Sequence, residues 1–122
     1  MKMRQGLFPR SLPLILGVEC SGVIDALGSG VIGWKVGDEV MALAPCGTYA
    51  KAICLPSQLI GRKPHSLTFE QAAGLPITGL TAYRALVGTR ALQRGDSLFI
   101  AGGGGGVGSM AIPLARLEPA LL

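Results

Sequence analysis

Charge is scarce in this sequence, and what there is never gathers. Asp, Glu, Lys and Arg make up 15% of the 122 residues, and 11 basic against 7 acidic side chains leave a formal net charge of +4 with no run of like charges. A nucleic-acid groove needs clustered cations, so nucleic acid is excluded as a partner. Paired cysteines are missing as well. Cys20, Cys46 and Cys54 stand 26 and 8 residues apart with no C-x-x-C. This excludes a zinc knuckle and a redox dithiol, and implies the reduced thiols of a cytoplasmic protein. Nor is there an unbroken apolar span. Residues 97–115 carry no charge, but six of them are Gly and Pro113 falls among them, so a membrane helix is excluded. Lys2, Arg4 and Arg10 precede an apolar stretch at 12–18, yet Pro9 and Pro13 interrupt it and no A-x-A site follows, which argues against a secretory leader.

What is present is a composition that buries itself. Hydrophobic residues reach 49%, far from the composition of a disordered chain, and the length suits one domain. In the first half, glycines at 17, 22, 28, 30, 33, 37 and 47 divide short apolar runs. Turn residues at this spacing predict a small antiparallel β-domain with strands near 18–27, 38–44 and 48–55. The pattern then changes. Thr68-Phe69-Glu70-Gln71 has the form of a capping box, predicting a short helix to about Gly74, broken by Pro76. Leu80, Tyr83, Leu86 and Val87 recur at helical spacing and predict a second helix from about Thr78 with that face in the core. Gly95-Asp96 turns the chain into the apolar run 97–101, expected as a strand buried on both faces of a parallel sheet.

Directly after that run come five consecutive glycines, 102–106, then Val107 and Gly108, then an apolar segment able to form a helix. A pyrophosphate needs a tight turn out of a strand, backbone without Cβ where it approaches, and a glycine where helix and strand pack closely. Gly103, Gly105 and Gly108 satisfy G-x-G-x-x-G in that order, and Gly106 and Val107 would offer amides at the helix start. Alone the motif is weak, because a glycine run matches it by low complexity. Its place between an expected strand and an expected helix gives it weight. Pro113 inside that helix, where a missing amide and a ring clash cost about 3 kcal/mol, predicts a kink or an early end. Glu118 comes too early to be the acidic residue that binds ribose about 20 residues past such a loop.

These motifs together carry a resemblance. Leu16-Gly17-Val18-Glu19-Cys20-Ser21-Gly22, Trp34-Lys35-Val36-Gly37-Asp38-Glu39-Val40, Gly47-Thr48-Tyr49-Ala50, Gln71-Ala72-Ala73-Gly74-Leu75-Pro76, Leu80-Thr81-Ala82-Tyr83 and the glycine loop stand in the order found in medium-chain dehydrogenases/reductases. The chain most resembles their zinc-independent, zeta-crystallin-like quinone oxidoreductases, nearest the p53-inducible type. The resemblance implies an α/β protein with a β-domain: a partial GroES-like β-barrel at 1–64, then linking helices and the first βα unit of an incomplete Rossmann fold at 65–122. It implies NADPH or NADH as cofactor and hydride transfer to a small-molecule quinone or α,β-unsaturated carbonyl, in a homodimeric full-length protein with no membrane or nucleic-acid partner.

Site residues follow from the same resemblance. Thr81 corresponds to the threonine that approaches the nicotinamide, Gly103, Gly105, Gly106, Val107 and Gly108 form the phosphate loop, and Tyr49 is a candidate for the substrate cleft. Where the family's zinc branch has Gly-His-Glu this chain has Gly17-Val18-Glu19, and Ile77 stands where that branch often has cysteine, so no metal is expected. Phe8 occupies a position where a tyrosine is common, and His65 follows Pro64 in a surface loop, so no catalytic acid is assigned. By this resemblance the chain is truncated at both ends and inactive alone. Two other readings stand beside it: a non-catalytic isoform serving as a binding or dimerisation module, and an enoyl-reductase piece of a polyketide synthase.

Overall fold

The computed structural model describes residues 12–88 and 92–117; Phe8, Glu118 and the N-terminal cations lie outside these. The described residues fall into two compact units that meet in sequence between Pro76 and Ile77.

The first unit is built on a three-stranded antiparallel sheet. Strand β1 (Glu19–Val23) pairs with β2 (Glu39–Leu43), which pairs in turn with β3 (Ile60–Arg62). Cys20 faces Ala42, Gly22 faces Val40, and Ala42 faces Ile60 across the ladders. Because side chains alternate along a strand, Cys20, Gly22, Val40, Ala42 and Ile60 share one face. The opposite face carries Ser21 and Met41 and receives the short helix α1 (Phe69–Ala73). The Ser21 hydroxyl ties the two together by donating to the Phe69 carbonyl. Val40, Ala42 and Ala44 on the sheet side and Ala72 in α1 are the buried apolar residues of this unit among those described. The expected barrel is thus present in part, as an open sheet with helices.

Helix α1 starts as its sequence demands. Thr68 Oγ1 accepts the Gln71 amide at 3.3 Å and Gln71 Oε1 accepts the Thr68 amide at 3.0 Å, closing the capping box, and Gly74 ends the helix. The third expected strand, 48–55, does not form. That stretch is irregular and leads into a 3-10 turn (Ser57–Leu59), and the sheet takes β3 as its third member instead. Only its start is paired, where the Thr48 and Tyr49 amides donate to the Gly17 and Leu16 carbonyls just before β1, and beyond Tyr49 no ladder continues. Lys63, which carries no motif, is 6% exposed; its ammonium meets Glu39 Oε2 at 3.1 Å and donates to the carbonyls of Pro64 and Leu67, clamping the connection between β3 and α1.

The second unit contains helix α2 (Leu75–Val87) from Ile77 onward and helix α3 (Gly106–Leu117). Pro76 does not break α2 but sits in its first turn, where no amide is required. Ala82, Leu86 and Ala111 form the core, with Val87, Ile100, Met110 and Leu114 packed around them. Fully burying a side chain such as Leu86 contributes about 1.5–3 kcal/mol. Leu80 and Tyr83, expected in this core, remain 50% and 48% exposed. The buried stripe runs through small Ala82 instead, which clusters with Leu86 and Ala111.

The run 97–101 forms no strand, and Phe99 is 90% exposed. A parallel strand needs neighbours on its edges and cover on both faces, whereas here Ile100 alone reaches the core. The βα unit is therefore represented by its loop and helix without its strand. Helix α3 runs through Pro113 rather than ending there. Pro113 and Ser109 both lie exposed, where water can serve the carbonyl that the missing amide leaves free, and the buried Ala111 with its flanking Met110 and Leu114 holds the helix.

Candidate functional site

Two places in the chain have the geometry of a site, one in each unit. The first is the entry to α3. Gly102 takes φ +73°, the left-handed region that suits glycine, and turns the chain back so that its carbonyl accepts the Gly105 amide at 2.9 Å. Gly105 then caps α3, its carbonyl accepting the Ser109 amide at 2.8 Å. The first-turn amides of Gly106, Val107 and Gly108 have no acceptor within an α-helix by its geometry, and the helix dipole leaves positive potential at this end. That combination suits a phosphate oxygen.

Close packing fixes the loop. A Cβ at Gly108 would stand 2.7 Å from the Gly103 Cα and 2.9 Å from its carbonyl carbon, so no side chain fits there. A Cβ at Gly106 would meet Thr78 Cγ2 at 3.1 Å, which places Thr78 beside the first turn of α3. Thr81 follows one turn later on α2 and is exposed. Two participants went unnoticed in the sequence. Gly102, rather than a fingerprint glycine, supplies the positive φ of the turn, and Thr78 borders the loop. The first was hidden by the glycine run, in which any register looks alike; the second could have been found from its i, i+3 relation to Thr81.

The second place is a cleft of about 270 Å³ in the first unit, over the sheet face that carries Cys20, Val40, Ala42 and Ile60. The irregular stretch 48–57 covers it and contributes Thr48, Lys51 and Cys54. Burial pushes the Cys20 thiol pKa up. Tyr49, in the same unit, is 73% exposed. Its amide donates to the Leu16 carbonyl at 2.9 Å, and a Cβ at Gly17 would lie 2.6 Å from its Cδ1. Gly17 has φ +95°, so both conformation and space demand glycine there.

Among the described residues, no three His, Cys, Asp or Glu side chains come together as a group able to hold a metal ion. Among the same residues, no helix is long and apolar enough to cross a membrane.

The alcohol dehydrogenase GroES-like domain family matches residues 1–93. The synaptic vesicle membrane protein VAT-1 homolog-like of Mus musculus is 36% identical over 121 residues, covering 98% of this chain, and this chain spans 29% of that protein. A reducing polyketide synthase of Cochliobolus heterostrophus is 39% identical over 102 residues, 84% of this chain and 4% of its own. Among solved structures, the Escherichia coli quinone oxidoreductase complexed with NADPH is similar at TM-score 0.84 and 32% identity, over 97% of this chain and 37% of that one.

Proposed function

Since the chain belongs to the alcohol dehydrogenase GroES-like domain family, we propose that it serves a nicotinamide-dependent oxidoreductase of the quinone-oxidoreductase type. Residues 1–64 contribute the substrate-side β-domain, and residues 65–122 the linking helices and the start of the nucleotide-binding domain. The observation that carries this reading is the loop 102–105 running into α3, with Gly108 packed directly on Gly103 and open space where a Cβ at Gly104 would stand.

The residues present fit that group. Gly106, Val107 and Gly108 would hold the pyrophosphate through backbone amides, Gly103 and Gly105 would let it approach without a Cβ, and Thr81 would stand toward the nicotinamide. When bound, NADPH supplies the hydride, and a quinone or α,β-unsaturated carbonyl accepts it. NADPH is favoured over NADH by the likeness to a quinone oxidoreductase complexed with it. Val18 and Ile77, which stand where the family's zinc branch has potential ligands, support a reaction without zinc. Tyr49 would line the substrate side. The working protein is a cytoplasmic homodimer acting on small molecules, with neither nucleic acid nor membrane as partner.

Hydride transfer needs walls that bury the nicotinamide and bind the transition state better than the substrate. Phe99 is exposed and no strand forms at 97–101, which supports the reading that these 122 residues do not turn over alone. Grafting them in place of the matching segment of the Escherichia coli quinone oxidoreductase tests the reading. Retained NADPH-dependent quinone reduction is expected, and loss of it in a folded chimera would contradict the assignment. The likeness to a reducing polyketide synthase supports a second reading, reduction of an enoyl thioester, which the same chimera distinguishes by its preferred acceptor.

A further inference from the structure

We propose that residues 97–101 are a contact surface for a second copy of this chain, and that two copies pair these segments as an antiparallel two-stranded ribbon. The backbone supplies the first reason. No residue from Ser97 to Ala101 makes a backbone–backbone hydrogen bond among the described residues, and Ser97, Leu98, Phe99 and Ala101 are exposed, Phe99 at 90%. These peptide units face water with their donors and acceptors unpaired, and an extended strand is the partner that satisfies them in one contact. The run also has the make-up that pairs readily, with Phe99 and Ile100 favouring extended backbone and neither charge nor proline among the residues.

The order of the side chains names that strand. About Phe99 the segment reads small, aliphatic, aromatic, aliphatic, small, with glycine beyond it on both sides at 95 and 103. A two-fold axis through Phe99 therefore sets Ser97 opposite Ala101, Leu98 opposite Ile100 and Phe99 opposite its own copy, matching like with like at directly opposed positions. Charge fixes the direction. Asp96 is the one charged residue in 95–103. Antiparallel pairing puts it opposite Gly102 and separates the two carboxylates by roughly 20 Å along the ribbon, beyond the screening length of about 8–10 Å. Parallel pairing in register would instead stack Asp96 on Asp96 and Arg94 on Arg94. Packing agrees with the antiparallel form. Ile100 lies against the core of Ala82, Leu86 and Ala111, which anchors each strand to its own helices. Alternation puts Leu98 on the face of Ile100, so Leu98, 46% exposed, comes to lie beside the partner's Ile100. A two-stranded ribbon is marginal by itself, and helical cover on one face supports it. The contact uses no nucleotide and stands apart from the oxidoreductase reading.

The test is sedimentation equilibrium of the 122-residue chain, with amide hydrogen exchange followed on the same samples. The mass should rise with concentration from the 12.5 kDa of one chain to twice that and stop there. Alternate amides of 97–101, open to exchange in dilute chain, should become protected as the mass rises. Phe99→Lys should weaken the association by about tenfold or more, because it removes the aromatic pair and opposes two like charges. Ile32→Lys puts the same charge on another residue that is 90% exposed and should leave the association unchanged. If Phe99→Lys does not fold, the exchange pattern of the parent chain gives the answer without it. A mass of one chain at every concentration, growth beyond two chains, equal weakening by the two lysine variants, or protection confined to other segments such as β1 would each overturn the proposal.

Discussion

A side-chain carbon at Gly108 would stand 2.7 Å from the Gly103 Cα, so helix α3 can begin against its own loop only with glycine in its first turn. At Gly104, in the same loop, a Cβ would meet nothing within 4 Å. Gly108→Ala is therefore expected to destabilise the chain by about 1–3 kcal/mol, the usual cost of forcing an atom into filled space. Gly104→Ala should change stability little. Urea denaturation of both variants beside the parent chain checks the contrast.

The same comparison applies in the first unit. Gly17 and Gly30 both have positive φ, at +95° and +88°, but only Gly17 is crowded, by Thr48 and Tyr49. Gly30→Ala should lose about 1–2 kcal/mol, the cost of a left-handed residue with a Cβ. Gly17→Ala should lose clearly more, because Tyr49 must also shift. Thermal melts of the two variants read the difference directly.

Thr68 performs two tasks that pH can separate. Its hydroxyl oxygen accepts the Gln71 amide, and a hydrogen bond from the Glu70 backbone, with a smaller one from the Thr68 side chain, holds the Glu70 carboxyl below its ordinary pKa. A depressed carboxyl stabilises the fold above the ordinary carboxylate range, and that contribution is lost as pH falls through the lowered value. Thr68→Ala should cost about 1 kcal/mol through the lost cap. It should also move the Glu70 titration, followed by nuclear magnetic resonance, up toward the ordinary value.

How far the sequence could be read depended on whether a signal was local. The capping box of Thr68 and Gln71, the entry to β2 at Gly37-Asp38 and the succession of glycine loop and helix are set by neighbours in the chain, and all three were legible, although α3 starts at Gly106 rather than after Gly108. Tertiary partners decided the rest. The run 48–55 and the run 97–101 both look like strands, yet neither finds a ladder to join. β3 is three residues long with Gly61 at its centre, too short to show a period. Leu80 and Tyr83 outrank Ala82 in any hydrophobic pattern, but the small residue is the one that clusters with Leu86 and Ala111. Lys63 gave no signal at all, because a buried lysine is recognised only by the carbonyls and the carboxylate around it. At the candidate site the glycine run named the loop while concealing that Gly102 makes the turn.

The zinc-independent assignment rests on Val18 and Ile77, and a catalytic zinc normally needs three protein ligands. Purified chain should hold well under one equivalent of zinc by elemental analysis, and a chelator should leave its melting temperature unchanged. A tightly held equivalent would contradict the assignment.

The central claim, that the entry to α3 receives a nicotinamide nucleotide's pyrophosphate, is tested most directly by titrating NADPH into nitrogen-labelled chain and following the backbone amides. Shifts are expected to centre on Gly105 to Ser109, with an affinity no better than about millimolar, equivalent to roughly 4 kcal/mol, and without NADPH oxidation when a quinone is added. Gly108→Ala should abolish the shifts, while Gly104→Ala should leave them in place. Saturation of amides elsewhere with the α3 entry unmoved would contradict the claim.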